Sequence, residues 1–245
     1  MLQVENVIKY FGGVHAVDGV SFSIKPNKIT ALIGPNGSGK STLFNLISGV
    51  LAPDRGKIVL DGKEITAKPV YQISNLGISR IFQHSRLFNN LTLRENLLLA
   101  FDNNDSKFWS NLIGFKNNTS KKDEKIIEVL KLVGLENKLH VSCRELSFGQ
   151  KRLVEISRAI LKPHKLLMLD EPVAGVTPAL RDKISDLLLS LEKKGETILL
   201  IEHDMNFTLG IADEVIVLDE GKIIAKGAPK DIKKNKKVLE AYLGE

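Results

Sequence analysis

The order of apolar and polar positions divides the chain into three stretches of different period. In the first, short β-rich pieces alternate with turn signals. Val20 to Ile24 reads as a strand, and Gly56 to Leu60 as another that stops at the turn pair Asp61-Gly62. Lys28 to Ile33 is a further apolar run, and it empties into a glycine-rich loop. From about Gln83 to Leu161 the period lengthens to that of helices. Ile126, Val129, Leu130 and Val133 fall at i, i+3, i+4 and i+7 on one face, and Gly134 follows as a stop. Beyond Leu161 the β/α alternation resumes. Lys165 to Leu169 and Thr197 to Ile201 are unbroken apolar runs of the kind that form buried parallel strands. Between them Leu180, Ile184, Leu187, Leu188 and Leu191 make a helical stripe, closed by Lys193, Lys194 and Gly195. Val215 to Leu218 and Lys222 to Lys226 flank Asp219-Glu220-Gly221 as a terminal hairpin. The pattern predicts a single α/β domain over 1–245, with a core from about 1–83 and 162–245 and a helical insertion over about 84–161.

Composition narrows the setting. A hydrophobic share of 43% and a charged share of 26% suit a soluble globular chain. No apolar run approaches the roughly 18 residues needed to span a bilayer, and no signal-peptide pattern opens the sequence, so a cytoplasmic position is expected. The single cysteine, Cys143, forms no internal disulfide and is expected to pack as a small apolar residue. The net charge of +6 fits a protein that handles polyphosphates or works near an anionic membrane surface. Its densest cluster, Lys230 to Lys237, lacks interleaved aromatics, so it reads as a solvated helix face and no nucleic-acid partner is expected. The stretch from Phe101 to Lys122 is rich in Asn, Ser and Lys but carries Phe108, Trp109 and Phe115. It is either a surface insertion with an aromatic anchor or a contact for a partner protein.

The chemistry concentrates in three places. Gly34-Pro35-Asn36-Gly37-Ser38-Gly39-Lys40-Ser41-Thr42 fits the phosphate-binding pattern G-x-x-x-x-G-K-[ST] between a strand and a helix. Glycines let the backbone N–H groups wrap an anion, Lys40 reaches the β- and γ-phosphates, and Ser41 offers its hydroxyl to Mg²⁺. Leu166-Leu167-Met168-Leu169-Asp170-Glu171 is an apolar strand that exposes two acids only at its tip. Asp170 is suited to hold Mg²⁺ largely through water, and Glu171 to deprotonate the water that attacks the γ-phosphate. Ser147 and Gln150, three apart with Gly149 between, form a capping box whose helix start is a second anion site.

Taken in order, these elements resemble the nucleotide-binding subunit of an ATP-binding-cassette transporter. Leu146-Ser147-Phe148-Gly149-Gln150 is similar to that family's signature motif, with Phe148 where glycine is commoner. Phe11 resembles the aromatic that stacks on adenine, with Tyr10 as its rival. Gln83 resembles the loop glutamine that touches Mg²⁺ and links catalysis to the membrane partner, and His203 resembles the switch histidine that senses the γ-phosphate. The family's inter-subunit loop falls on Val173 to Thr177, with Thr177 where aspartate is usual.

The resemblance implies a P-loop NTPase core with an N-terminal antiparallel β subdomain and an inserted helical subdomain. It implies ATP and Mg²⁺, a head-to-tail pair of subunits (two copies, or this chain with a relative), and transmembrane permease subunits. The pair is expected at the cytoplasmic face of the cell membrane, served indirectly by an external solute-binding protein. Phe82 to Phe88, Ile201 to Met205, the aromatic-bearing insertion and the ending Ala241-Tyr242-Leu243-Gly244-Glu245 resemble the branched-chain amino acid importers. A lipopolysaccharide-export ATPase and a soluble cassette ATPase without a membrane partner stand as alternatives.

Overall fold

A computed structural model describes residues 1–81, 87–101 and 119–243 of the chain. In chain order it opens with β1 (Leu2–Phe11), β2 (Val14–Ile24) and β3 (Ile29–Ile33), then α1 (Lys40–Ile47). β4 (Arg55–Leu60), β5 (Lys63–Glu64), α2 (Val70–Asn75) and β6 (Ile78–Ile81) follow. The helical stretch holds α3 (Leu93–Leu98), α4 (Thr119–Val133) and α5 (Phe148–Leu161), linked in part by 3₁₀ turns. Alternation returns with β7 (Leu166–Asp170), α6 (Pro178–Lys193), β8 (Ile198–Ile201), α7 (Met205–Ile211), β9 (Glu214–Asp219) and β10 (Lys222–Gly227). Two short helices close the chain, α8 (Pro229–Ile232) and α9 (Lys236–Leu243).

The strands form two sheets. An antiparallel sheet runs β2-β1-β4-β5, and a larger sheet runs β10-β9-β3-β8-β7-β6, parallel throughout except for β10 at its edge. The larger sheet's central strands β7 and β8 are covered on both faces, which is why they read as apolar runs. Alternate side chains of one strand therefore enter different cores. Leu167 and Leu169 of β7 pack with α3, α4, α5 and α6, whereas Leu166 and Met168 pack with α1 and the antiparallel sheet.

Most expectations from the pattern hold. Ile126, Val129, Leu130 and Val133 are buried, and Gly134 stops α4 in a left-handed conformation at φ 66°. Cys143 is buried, accepts from Asn96 Nδ2 at 3.2 Å, and has its thiol pKa pushed up by burial. Lys230, Lys233, Lys234, Lys236 and Lys237 are all exposed, while Ile232 and Val238 anchor that segment to the core. Most strand boundaries fall within a residue of the pattern, and two differences have a clear cause. β2 begins at Val14 instead of Val20, because pairing with β1 continues through His15 and Val17 across positions whose side chains break the apolar alternation. β7 takes in Asp170, whose backbone stays in register with Ile201 of β8. Most of the aromatic-bearing insertion, with Phe108, Trp109 and Phe115, lies outside the described residues, as do Gly244 and Glu245.

Candidate functional site

β3 is buried along its whole length and delivers the chain into residues 34–39 at the carboxyl edge of the sheet, the place where open α/β sheets take ligands. The loop is squeezed between β2 and β9. A Cβ on Gly34 would lie 2.0 Å from the Leu218 carbonyl oxygen, and one on Gly39 2.1 Å from that of Ala16. Gly39, at φ 101°, is also the residue from which α1 springs, so its backbone turn aims the first N–H groups of the helix at the loop. The Lys40 side chain folds into this turn. Its Nζ donates to the carbonyl oxygens of Gly34 (2.8 Å) and Pro35 (2.7 Å) and to Ser38 Oγ (3.3 Å). Burial lowers its pKa, partly offset by the carboxylate of Glu171.

The loop floors a cavity of about 750 Å³. Asn36, Gly37, Gly39, Lys40, Ser41 and Thr42 line it from below, and Val14, His15 and Ala16 of β2 form one wall. Asp18, Glu220, Lys222 and Glu171 complete it. Glu171 therefore meets Lys40 across the cavity, as its place at the tip of β7 suggests.

Glu171 is held in an uncommon backbone conformation, φ 48°, and such strain at a non-glycine residue is kept only where the surroundings impose it. They do so here. Its N–H donates to the Ile201 carbonyl at 3.0 Å. The buried guanidinium of Arg152 in α5 donates to three successive carbonyls, those of Asp170 (2.7 Å), Glu171 (2.6 Å) and Pro172 (3.2 Å). His203 Nδ1 lies 3.7 Å from Glu171 Oε1 and 3.9 Å from Glu202 Oε2. Glu202 is fully buried, and burial raises its pKa. Its carboxylate accepts from the N–H groups of Val173 (3.0 Å) and His203 (3.3 Å), tying the segment after Glu171 to the end of β8. Arg152 and Glu202 were not among the expected site residues. The signal for Glu202 was an acid directly after the buried run of β8, and Arg152 had none beyond its place one turn into a helix.

Other expected residues stand apart from the cavity. Asp170 is buried behind it, and its Oδ2 accepts from Arg80 Nη2 at 2.9 Å. Phe11 is 47% exposed, with Lys9 Nζ 5.6 Å from its ring centroid, and it is not part of the cavity lining, where Val14 to Ala16 sit instead. Tyr10 packs edge-on against His15 at 4.4 Å between ring centroids. Ser147 caps α5 in the expected capping box: its Oγ accepts from the Gln150 N–H, and Gln150 Oε1 accepts from the Ser147 N–H. Gly149 is pressed on Leu180, where a Cβ would come within 2.4 Å of Cδ2. None of Ser147, Gly149 and Gln150 reaches the cavity of its own chain. Thr177 is the N-cap residue of α6 but makes no side-chain cap bond. Gln83 lies outside the described residues.

The donors fit a polyphosphate with a small hard cation. The loop N–H groups and Lys40 offer only positive character to an anion, and Ser41 and Asp170 offer only oxygen. Among the described residues no three His, Cys, Asp or Glu side chains are placed to hold a metal ion between them, so a cation here would take its remaining ligands from phosphate and water.

Known proteins match this chain in sequence and in fold. The family model described as ABC transporter matches residues 17–174, and one described as branched-chain amino acid ATP-binding cassette transporter matches residues 222–245. A probable branched-chain amino acid transport ATP-binding protein LivG of Methanocaldococcus jannaschii is 41% identical, covering 100% of this chain and 98% of that protein. The high-affinity branched-chain amino acid transport ATP-binding protein LivG of Escherichia coli K12 is 37% identical, covering 100% and 98%. Among solved structures, a nucleotide-free ATP-binding cassette from an ABC transporter superposes with a TM-score of 0.86 at 38% identity, covering 100% of this chain and 99% of that one. A dimeric cassette in a post-hydrolysis state with ADP and Pi gives 0.77 at 25% identity, covering 94% and 99%.

Proposed function

The chain belongs to the ABC transporter family, and from that premise we propose that its cavity holds ATP and hydrolyses it to drive branched-chain amino acid import. One observation carries the reading. Lys40 and Glu171, from opposite ends of the sequence pattern, face one cavity, and Glu171 is braced there by His203 and Arg152.

The residues divide the work. The N–H groups of Asn36 to Thr42, running into the start of α1, receive the phosphates, and Lys40 turns its ammonium from the loop carbonyls toward the β- and γ-phosphates. Glu171 orients the attacking water and takes its proton, with His203 holding that carboxylate and facing the γ-phosphate. Ser41 and Asp170, together with Gln83, would hold Mg²⁺, which would supply charge neutralisation on the phosphates. Phe11 is assigned to the adenine. Ser147, Gly149 and Gln150 lie off this cavity, which supports their serving the ATP of a second subunit in a head-to-tail pair. The helical part, about 84–161, then acts as a signature subdomain on a core of 1–83 and 162–245.

No described helix is long and apolar enough to cross a membrane, so transport requires separate permease subunits. We place the chain at the cytoplasmic face of the membrane beneath two such permeases, with a second cassette subunit as partner and an external binding protein delivering the cargo. The test is to purify tagged Glu171→Gln protein from native membranes with ATP and identify what accompanies it. Two polytopic permeases with a second cassette are expected. Exporter permeases would overturn import, and recovery without any membrane protein would overturn transport.

A further inference from the structure

Arg80 is a buried charge that the steps above do not use. It sits in β6, at the edge of the large sheet, directly across from Met168 and two residues before the strand tip partner of Asp170 would fall. Its side chain is 7% exposed and that of Asp170 8%, so the pair is shut away from solvent. One nitrogen, Nη2, donates to Asp170 Oδ2 at 2.9 Å. The other, Nη1, donates to Asn45 Oδ1 (2.8 Å) and Ser48 Oγ (2.6 Å) at the far end of α1, and the guanidinium lies 5.5 Å from the Phe44 ring centroid.

Ser41 and Asp170, the two described oxygen donors assigned to the cation, lie on different elements, the start of α1 and the tip of β7. Arg80 is a tie between those elements. A guanidinium suits the task because its planar fork reaches two acceptors in fixed directions, which an ammonium cannot do. It is also permanently charged, so a cation arriving at Asp170 meets a positive charge already there. We propose that Arg80 is a positioning residue that shares the Asp170 carboxylate with the divalent cation, fixing the carboxylate relative to α1 and weakening cation binding enough for release. This rests on the reading of Asp170 as the cation's carboxylate.

The two functions of Arg80 separate in two variants, Arg80→Met, which removes the charge, and Arg80→Lys, which keeps the charge and loses the fork. The measurement is Mn²⁺ affinity of the ADP-loaded full-length protein, followed by electron paramagnetic resonance, beside ATPase kinetics and melting. Arg80→Met is expected to bind Mn²⁺ about tenfold more tightly, since a repelling charge near the site has gone. Arg80→Lys is expected to bind Mn²⁺ as the wild type does, yet to lose about tenfold in kcat at unchanged KM for ATP, the signature of lost positioning. A simple packing role would weaken Mn²⁺ binding or leave it unmoved, and either result in a normally melting Arg80→Met would overturn the proposal. Should Arg80→Met fail to fold, wild-type kcat in Arg80→Lys would overturn it instead. If the wild type binds ADP but no Mn²⁺, the assignment of the cation site fails and takes this proposal with it. If Mn²⁺ binds the wild type and Arg80→Met equally, only this proposal fails.

Discussion

The phosphate loop and the tip of β7 face each other across one cavity, and they are built in opposite ways. The loop supplies its own polar groups, although pressed on both sides by β2 and β9: residues 34–40 provide the turn, the helix start and the carbonyls that hold Lys40. The tip of β7 is shaped by others. Asp170 and Glu171 are held by Arg80 from β6, Arg152 from α5, and His203 with Glu202 from the end of β8. On the proposed reading, binding of phosphate is written in nine consecutive residues, because it needs only N–H groups and a cation brought close. Placing a base against a phosphate needs a fixed distance between separate elements, and that takes charges donated from across the domain.

The sharpest way to break this comparison is to neutralise one residue on each side. Glu171→Gln should cut turnover by about 10²–10⁴, the usual worth of a general base, while ATP still binds. Lys40→Ala should lose ATP affinity as well as turnover. Equilibrium binding of a fluorescent ATP analogue, measured beside ATPase rate, distinguishes the two. If Glu171→Gln loses binding too, the tip of β7 is part of the phosphate cradle and the division fails.

Within the loop, Gly39→Ala should be costly, because the loop backbone turns left-handed there and lies tight against β2. Its Cβ would lie 2.1 Å from the Ala16 carbonyl oxygen, at a φ of 101° that other residues rarely adopt. A loss of about 1–3 kcal/mol of stability is expected, visible as a lower midpoint in urea unfolding, with nucleotide affinity reduced. A wild-type midpoint would show that the loop has room the contacts deny.

At the tip of β7 the matching change is made far away in sequence. Arg152→Met strips donors from the carbonyls of Asp170, Glu171 and Pro172. Leaving such buried acceptors without partners costs about 1–3 kcal/mol. The expected kinetic effect is a lower kcat with KM for ATP held, since Glu171 moves and the loop does not. A raised KM with unchanged kcat would mean that Arg152 supports nucleotide binding instead.

The same asymmetry decides what the sequence discloses. The loop, the acids after Leu169 and the capping box at Ser147 were legible because each is local: spacing along the chain is spacing in space. The central strands of the large sheet were legible because burial on both faces leaves few polar positions to mislead, as in Leu166 to Leu169, whereas edge strand β6, interrupted by Ser79 and Arg80, was not. The early start of β2 at Val14 was not, since that ribbon is half exposed and its pairing with β1 outruns its apolar pattern. Nor were Arg80, Arg152 and Glu202. An arginine in an edge strand or helix has many meanings until the fold brings a carboxylate or a carbonyl to it, and no spacing rule joins residue 80 to residue 170.

The smallest expected effect lies at the other end of β7, and it tests whether support by distant charges is confined to the site. There the His164 ring, 3% exposed, places Nε2 3.0 Å from Glu196 Oε2, while Nδ1 lies 2.6 Å from the Lys162 carbonyl oxygen. Burial alone would lower the His164 pKa, but Glu196 and that carbonyl outweigh it, so the folded value stands above 6.5. The His164 ring at 3.0 Å holds Glu196 below 4.5 against its own burial. A raised histidine contributes stability that is complete below its unfolded pKa and is lost as pH rises through the folded one. A depressed carboxylate contributes above its unfolded pKa and loses that as pH falls through the folded one. Both contributions are therefore present between about 4.5 and 6.5, and on the alkaline side the histidine's should fade first. With Glu196 partly in solvent, the pair is worth about 1 kcal/mol at most. Glu196→Gln should flatten the fall in melting temperature above pH 6.5 relative to the wild type. An unchanged pH profile would mean that the base of β7 is held by packing, leaving charge support to the tip.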